Sequence, residues 1–321
     1  CFPVGFGILL AITFLVSTLT QFFAPAEQAA IPLLVKHRHL LPANSLYTTT
    51  MMASLIVGFA VGEPLLALAD QLLAFIGISW DFGKELVVGG AYGIAGLLLL
   101  LLKTGEKPDT GDEEKPHVFE DIRDGIRYLG QNERVRNALI QLTILFCVFA
   151  ALAVLAVRVA ETIPGLKSSQ FGFLLASGGV GMAIGAAILG HWGQRFSHAQ
   201  LSLLGSIGVA GSLIGLSIFT QNLWMALLMT ALLGGFAALV GIPMQTTIQA
   251  ETPEEMRGKV FGLQNNAVNI ALSLPLALAG VAEAFFGLQP VFLALAAIAI
   301  AGGLLTWYIS DTGSRGSTKA N

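Results

Sequence analysis

The stretch "NALIQLTILFCVFAALAVLAV", residues 137–157, contains no charged side chain. A helix needs about 20 predominantly apolar residues to cross the hydrocarbon core of a bilayer. We interpret Cys147, in the middle of the stretch, as a small packing residue, because a free cysteine is usually buried. The stretch therefore predicts a membrane-spanning helix, and runs of the same kind lie on both sides of it.

The composition of the whole chain agrees with a membrane protein. Of its 321 residues, 55% are hydrophobic and only 12% are charged, and the mean hydropathy is +0.75. Soluble domains carry about 25% charged residues. The net charge of -3 is small and the basic residues are scattered, so no surface for a nucleic acid is predicted. The fold class that follows is an all-α polytopic membrane protein.

Apolar runs that are long enough to cross a membrane and carry at most one charged residue occur nine times. Each is flanked by polar or charged residues, which set its ends to within a few positions. The predicted spans are Pro3–Phe23, Thr48–Ala69, Glu85–Leu102, Asn137–Val157, Gln170–Leu189, Ala199–Phe219, Leu223–Pro243, Val260–Phe286 and Pro290–Ile309.

Lysines and arginines are unequally distributed between the two ends of these spans. If Ala24–Tyr47 is a cytoplasmic loop, 14 of the 17 fall in cytoplasmic segments, and only Lys84, Arg158 and Lys167 lie outside. By the positive-inside rule, this predicts a multi-pass protein of the plasma (inner) membrane with a cytoplasmic C-terminus. The N-terminus would then be outside, and its direct entry from Cys1 into a span suggests that an N-terminal piece precedes it.

A long polar segment divides three predicted spans from six. Its second part, "HVFEDIRDGIRYLGQNERV", residues 117–135, carries apolar residues at helical spacing between arginines. This pattern predicts an amphipathic helix, either at the inner membrane surface or as a solvated linker. The predicted organisation is a partial N-terminal bundle (1–102), a cytoplasmic linker (103–136), a C-terminal six-helix bundle (137–309) and a cytoplasmic tail (310–321).

Three stretches carry a resemblance to a known family. "FFAPAEQAAIPLLV", residues 22–35, followed by "ANSL", resembles the segment after the fourth helix of major facilitator superfamily exporters in the siderophore- and macrolide-efflux branch. "AETPEEMRGKVFGLQN", residues 250–265, resembles the loop before their eleventh helix. "GHWGQRFSH", residues 190–198, resembles the superfamily's G-x-x-x-D-R loop signature.

The resemblance implies two six-helix bundles around a central cavity, with the first three of twelve helices upstream of Cys1. It implies an efflux permease that moves a small amphipathic molecule, such as a drug, a macrolide or a siderophore, by alternating access. Proton-coupled antiport, a monomeric state and no cofactor are expected with it. The partners would be the substrate, the proton gradient and the lipid bilayer.

The loop signature departs from the family pattern at one position. Gln194 stands where the family commonly has an aspartate before Arg195. A link from this position to another helix end can then only be a hydrogen bond. Arg195 is a candidate gating residue, but it can also be an ordinary cytoplasmic charge of the positive-inside kind.

Small residues repeat at helical spacing in "SGGVGMAIGAAILG", residues 177–190. Gly181 and Gly185 lie four apart and let two helices approach closely, since lipid offers no hydrophobic drive for association. They are predicted to form either static packing or a surface on which the two bundles rock.

Amides cluster in "GLQNNAVNIALS", residues 262–273. Asn265 and Asn269 share a helix face, with Gln264 and Asn266 beside them. Amides inside a membrane bundle need partners, so these four are candidates for lining a substrate cavity or for bonding between helices. Gln245 and Gln249, beyond the seventh predicted span, are interpreted as cytoplasmic-loop residues.

A carboxylate interrupts the apolar stretch "VGFAVGEPLLALAD", residues 57–70. The stretch resembles the G-x-x-x-G-P signature on the fifth helix of the superfamily's antiporters, with Glu63 inserted between Gly62 and Pro64. A charged carboxylate at mid-membrane depth costs about 3 kcal/mol, unless it is protonated or faces water. Glu63 is therefore the candidate proton carrier, with a structural hydrogen bond as the alternative, whereas Asp70 is interpreted as an interfacial charge. The resemblance implies that Gly58, Gly62 and Pro64 bend and pack this helix.

Enzymatic signatures are missing from the sequence. It has no Walker loop and no paired-histidine metal motif. Glu63 and Asp70 are roughly 10 Å apart along a helix, too far to share one proton without a bend. The chain is predicted not to be an enzyme and to hold no metal. A metabolite importer of the same fold, a membrane-embedded enzyme and a non-transporting fragment remain the alternatives to an exporter.

Overall fold

The computed structural model describes residues 4–75, 83–102, 118–166 and 170–318, and their side chains except at 4–6, 59–64, 69–70, 72–75, 83–86, 118–119 and 309–318. In these residues the chain forms α-helices joined by short turns, and no strand is present. The ten helices are α1 Val4–Leu34, α2 Leu40–Phe75, α3 Gly83–Leu100, α4 Val118–Gln131, α5 Glu133–Thr162, α6 Gly172–Trp192, α7 His198–Ile218, α8 Leu223–Glu251, α9 Arg257–Phe286 and α10 Leu288–Thr318.

The predicted all-α membrane fold is confirmed. Seven of the helices are long and apolar enough to cross a membrane, namely α1 and α5 to α10. α2 and α3 cover the other two predicted spans, but both include residues whose side chains are not described. The count of nine spans therefore stays a prediction.

The prediction that Ala24–Tyr47 forms a cytoplasmic loop is wrong, because most of this stretch is helical. α1 continues to Leu34 through Pro25 and Pro32, α2 begins at Leu40, and only a short turn lies between them. The polar residues of this stretch stay helical because other helices satisfy their hydrogen bonds in place of water. For example, the buried Asn44 side chain donates to α8.

Helix α8 also extends beyond its predicted end. It passes through Pro243 and ends at Glu251, so Gln245 and Gln249 are helical residues and not loop residues. The loop interpretation of these two glutamines is therefore wrong. Gln249 is only 1% exposed, and its amide is satisfied by α1 and α2.

Capping side chains set the turns between the spans. Asn132 accepts from the Val135 amide at the start of α5, and Asn222 accepts from the Met225 amide at the start of α8. Ser197 and Gln200 form a reciprocal capping box at the start of α7. These side chains bond amide groups that lack a partner in the first turn of a helix.

The helices after the linker form one packed bundle. Its core is apolar and includes Leu155, Leu213, Phe261 and Phe292, each almost wholly buried. Large apolar side chains such as Trp224 and Phe285 are instead exposed on its outside. An exposed apolar outer surface is what a bundle in lipid requires.

Two of the helices before the linker, α1 and α2, pack against this bundle along one side. α2 lies along α6 and also touches α8, while α1 lies against α9 and α8. α4, at the position of the predicted amphipathic helix, contacts α9 and α5. The candidate site lies at the contact between the two sets of helices.

Candidate functional site

A cavity of about 400 Å³ lies where α1 and α2 meet α5, α6, α8 and α9. Binding pockets for small molecules typically have volumes of about 300–1,000 Å³. Among the described residues that line the cavity, none carries a formal charge. Its polar lining consists of neutral side chains: Gln28, Asn44, Tyr47, Thr48, Gln245, Gln264 and Asn265.

Most of the cavity wall is apolar and adaptable. Phe146 and Phe149 of α5 face each other edge-on, with ring centroids 6.5 Å apart, and both line the cavity with Met51, Met52 and Met182. Methionine side chains are flexible and polarisable, and aromatic rings offer large flat surfaces. Such a wall can bind an amphipathic ligand of variable shape.

Two glutamines of the cavity lining carry unsatisfied hydrogen-bonding groups. Gln264 of α9 is 7% exposed, and its Nε2 donates to Oε1 of Gln245 at 2.6 Å. Gln264 Oε1 and Gln245 Nε2 are buried and find no partner among the described residues. Reversing both amides exchanges their roles but still leaves one acceptor and one donor open. Neighbouring groups cover both atoms, and an unmade buried hydrogen bond costs about 1–3 kcal/mol. A side-chain rotation that turned them toward a bound molecule would therefore be favourable, and the pair is a candidate ligand contact.

The predicted amide cluster divides into three environments. Gln264 and Asn265 line the cavity. Asn265 and Asn269 both donate to Oε1 of Gln21 in α1, at 2.8 and 3.1 Å, so they also join α9 to α1. Asn266 is exposed and does not belong to the cavity lining.

A buried network of neutral side chains borders the cavity, since Gln28 and Asn44 line it and bond to α8 residues behind the lining. Nδ2 of Asn44 in α2 donates to Thr246 Oγ1 at 3.0 Å and to Gln249 Oε1 at 2.6 Å, both in α8. Nε2 of Gln249 in turn reaches the backbone oxygen and Oε1 of Gln28 in α1, each at 3.3 Å. We call these four residues the closing network.

A second contact lies beyond the closing network, between the α1–α2 turn and the α6–α7 turn. Gln194 donates to the backbone oxygen of Arg38 at 3.1 Å, and Leu41 packs with Leu189. The link at the loop signature is thus a hydrogen bond made by Gln194. Arg195 is exposed and makes no ion pair with the described residues.

The predicted packing glycines lie inside the six-helix bundle. A Cβ on Gly181 would collide with the backbone of Ala231, and one on Gly185 would lie 2.5 Å from the Gly235 oxygen, both in α8. The face toward α2 carries other glycines, since Gly179 approaches Met52 and Gly190 approaches Ser45. Any sliding between the two sets of helices therefore involves this second face.

The structure describes the backbone of the fifth-helix signature but only some of its side chains. Gly58 has open space around it. Gly62, Glu63, Pro64 and Asp70 belong to α2, but their side chains lie outside the described residues. The proton-carrier hypothesis for Glu63 is therefore not tested by the structure.

Several cavity residues were not singled out from the sequence, although a signal for them exists. Asn44, Tyr47, Thr48 and Met51 follow the i, i+3, i+4, i+7 spacing of a single helix face, and all four line the cavity. The hydrogen bond between the Tyr47 and Glu27 side chains adds a carboxylate of α1 close to this face. Among the described residues, no group of histidines, cysteines and acids could hold a metal ion.

The helical architecture, with a cavity between two sets of helices, is that of the major facilitator class of polytopic membrane proteins. A family model described as transmembrane secretion effector matches residues 4–311, and the chain belongs to this family. The class consists of transporters rather than enzymes, in agreement with the sequence prediction.

Two relatives illustrate the family. The chain is 25% identical over 298 residues to the uncharacterised MFS-type transporter YfiS of Bacillus subtilis (strain 168), covering 90% of this chain and 68% of YfiS. It is 29% identical over 262 residues to the enterobactin exporter EntS of Escherichia coli O1:K1, covering 79% of this chain and 58% of EntS. The predicted resemblance to the siderophore-exporter branch is confirmed.

Solved structures support the fold. The proton:xylose symporter XylE superposes with a TM-score of 0.57 at 14% identity, covering 88% of this chain and 66% of XylE. A bacterial homologue of the iron transporter ferroportin in its outward-facing state superposes with a TM-score of 0.54 at 15% identity, over the same shares of each chain. At such identities the likeness shows the fold alone.

Proposed function

We propose that the protein is a secondary active transporter that exports a small amphipathic molecule by alternating access. The observation that carries this proposal is the neutral, largely apolar cavity enclosed by helices from both sides of the linker, with the open hydrogen-bonding groups of Gln245 and Gln264 at its wall. Relatedness to an enterobactin exporter supports outward transport.

The cavity lining favours ligands that combine rings with neutral hydrogen-bonding groups. Phe146 and Phe149 supply aromatic surface, and the Gln245–Gln264 pair supplies one free donor and one free acceptor. No carboxylate belongs to the described lining, and the nearby Glu27 carboxylate is already bonded to the Tyr47 hydroxyl. Transfer of an unpaired charge into such a site is costly. We therefore propose uncharged amphipathic molecules, with enterobactin, named as the cargo of the relative EntS, as the first to test.

In the proposed orientation, the α1–α2 turn and the C-terminus are cytoplasmic, as the distribution of lysines and arginines predicts. The closing network would then seal the cytoplasmic end of the cavity, and the structure would be one closed toward the cytoplasm.

A membrane-impermeant thiol reagent should label a cysteine at the exposed position His37 only from the cytoplasmic side. Labelling from outside would invert the orientation.

Changing Gln264 to leucine is expected to weaken export. The substitution nearly conserves volume but removes the buried amide, so the substrate loses one hydrogen bond worth about 1 kcal/mol and faces an unpaired Gln245. We expect an apparent affinity lowered by about tenfold. The measurement is enterobactin transport into energised inside-out vesicles over a range of concentrations.

The control for this substitution is the neighbouring Asn266→Leu variant, because Asn266 is exposed and outside the cavity lining. It should transport with unchanged affinity. Equal affinity in both variants would remove Gln264 from the binding site.

Net movement of the substrate toward the cytoplasmic side would favour an importer of the same fold.

We further propose that Glu63 couples export to proton entry. A carboxyl group within a span can carry a proton if substrate and proton compete for it, as antiport requires. In the same vesicles, Glu63→Gln should remain folded and lose export driven by an imposed pH gradient, whereas Asp70→Asn should be mild. Undiminished gradient-driven export by the Glu63→Gln protein would make Glu63 a packing residue.

A further inference from the structure

Helix α4 turns a polar face toward the rest of the protein. Nζ of Lys259, in the first turn of α9, lies 2.9 Å from Asp121 Oδ1 and 3.0 Å from Asp124 Oδ2. The hydrogen bond from Lys259 holds the pKa of the Asp124 carboxyl below its ordinary value, so this contact persists when the pH falls moderately. Tyr128 donates to the Glu251 backbone oxygen at 2.8 Å, which ties α4 to the end of α8 as well.

The opposite face of α4 is apolar and bordered by arginines. Ile122 is 40% exposed and Ile126 is 58% exposed, and they lie one turn apart on the same side of the helix. Arg123 and Arg127 flank them and are also exposed. A linker helix in water would direct its whole apolar stripe toward the protein, but of its described stripe residues α4 packs only Leu129 against the core and leaves Ile122 and Ile126 on the outside.

The position of α4 along α9 gives its depth. Gly125 is buried against Leu263, and a Cβ at Gly125 would lie 2.6 Å from that side chain. Lys259 and Leu263 belong to the first two turns of α9, where a candidate membrane span begins. Ile122 and Ile126 therefore lie at the level at which the chain passes from water into lipid.

We propose that α4 binds the membrane surface, with Ile122 and Ile126 in the boundary between headgroups and acyl chains and with Arg123 and Arg127 on anionic phospholipid headgroups. Apolar side chains bordered by arginines are the pattern of a helix that lies in this interface. Around the arginines, the acidic groups on α4 itself are Glu120, Asp121 and Asp124. Lys259 of α9 pairs with both aspartates, and Arg127 also lies 3.8 Å from Asp124, so these six charges sum to zero. The charge is unequally placed, because the aspartates are held toward α9 whereas Arg123 and Arg127 are exposed.

The arrangement links the lipid surface to the cavity. α9 carries Gln264 and Asn265 at the cavity wall, and its first turn is held to α4 through Lys259. An α4 fixed to the membrane surface would brace this end of α9. The binding of α4 to lipid does not depend on the transport activity proposed above and can be tested without a substrate.

The test measures the depth of α4 in the full-length chain in vesicles. A spin label is placed at Ile126→Cys, with Cys1 and Cys147 replaced by serine, and its collisions with oxygen and with a water-soluble nickel complex are compared. Reference labels lie at Glu255, exposed in the α8–α9 turn, and at Ile298, exposed in the middle of α10. The vesicles consist of phosphatidylcholine alone or mixed with phosphatidylglycerol.

The label at Ile126 should collide with the nickel complex less often than the label at Glu255 and more often than the label at Ile298. Its accessibility to nickel should fall further when phosphatidylglycerol is present. Two arginines at an anionic surface favour the bound position by about 30-fold, so Arg123→Gln/Arg127→Gln should abolish this response to lipid. Arg195→Gln, which removes one positive charge elsewhere on that side, should leave it intact.

If the label at Ile126 is as accessible to nickel as the label at Glu255, this face of α4 lies in water, where it is free to bind a protein partner. That result would overturn the proposal. A lipid response that survives the double substitution, or is also lost in Arg195→Gln, would assign the effect to general surface charge and overturn the arginine contacts.

Discussion

Replacing Gly181 with leucine is expected to prevent accumulation of the folded protein in the membrane. At Gly181 even a Cβ would overlap the carbonyl of Ala231 and lie 2.8 Å from its Cα, and at the reciprocal position a Cβ on Gly234 would overlap the carbonyl of Gly178. The atoms in the way are backbone atoms, which cannot rotate aside as a side chain can. α6 and α8 would have to separate along their whole contact.

The expected cost of this substitution exceeds the usual penalty for overpacking. Extra methylene groups in a packed core cost about 1–3 kcal/mol when neighbouring side chains can adjust. Native domains have only about 5–15 kcal/mol of stability in total. Gly181→Ala should therefore already lower the thermal stability, and Gly181→Leu should abolish the folded peak in fluorescence-detected size-exclusion chromatography.

The matched control for Gly181 is Gly211→Leu. Gly211 lies mid-helix in α7, is exposed on the outside of the bundle and has open space around it. Leucine there should face lipid and leave the yield unchanged. A Gly181→Leu protein with the yield and melting temperature of the Gly211→Leu protein would mean that α6 and α8 do not pack through these glycines.

The membrane fold could be predicted from the sequence because the requirement for apolar length is strict. Uncharged runs such as residues 137–157 have few alternatives to a spanning helix. Small residues at fixed spacing likewise predicted a close helix contact at Gly181 and Gly185. Which helix they meet could not be predicted, since spacing gives the face of a helix but not its neighbour.

The boundaries of α1, α2 and α8 could not be predicted for a specific physical reason. Polar residues such as Gln28, Asn44 and Gln249 look like loop residues when water is the only partner considered. In the folded protein these three residues satisfy one another across three helices. Such pairs are up to 221 residues apart in the chain, so the partner of each amide cannot be found from its local sequence.

The cavity was predicted in part for the same reason. Gln264 and Asn265 were identified because several amides in one apolar span are unusual. Gln245, which completes the pair with Gln264, was missed because the loop was predicted to begin at Pro243. The arrangement of one open donor beside one open acceptor arises only when α8 and α9 are packed together.

Changing Asn44 to leucine is expected to shift the protein toward a conformation open at the end that the closing network seals. Asn44 is 3% exposed and donates to Thr246 and Gln249 across the contact between α2 and α8. Hydrogen bonds inside one bundle persist when the bundles move apart, so they do not affect this equilibrium. Those across the contact exist only in the closed state and therefore stabilise it.

The size of the shift follows from the groups left without partners. Loss of two hydrogen bonds costs about 1 kcal/mol each, and an unsatisfied Gln249 oxygen adds about 1–3 kcal/mol. Opening lets water reach this oxygen, so the closed state alone bears the cost. A change of about 3 kcal/mol corresponds to roughly a 150-fold change in the ratio of the two states.

The population can be read from the distance between spin labels at His37→Cys and Arg195→Cys, on the two turns that meet at this end. Both positions are exposed, and the labels are placed in a background without Cys1 and Cys147. Double electron–electron resonance should show a single short distance in the parent protein. In the Asn44→Leu protein, a longer distance should dominate.

The control distinguishes opening from general destabilisation. Gln141 is as buried as Asn44 and donates to Ser206 at 2.9 Å, but this bond joins α5 to α7 within one bundle. Gln141→Leu should lower the melting temperature and leave the distance distribution unchanged. If Asn44→Leu changes the melting temperature alone, the closing network is a stabilising contact of the fold and not a seal that opens during transport.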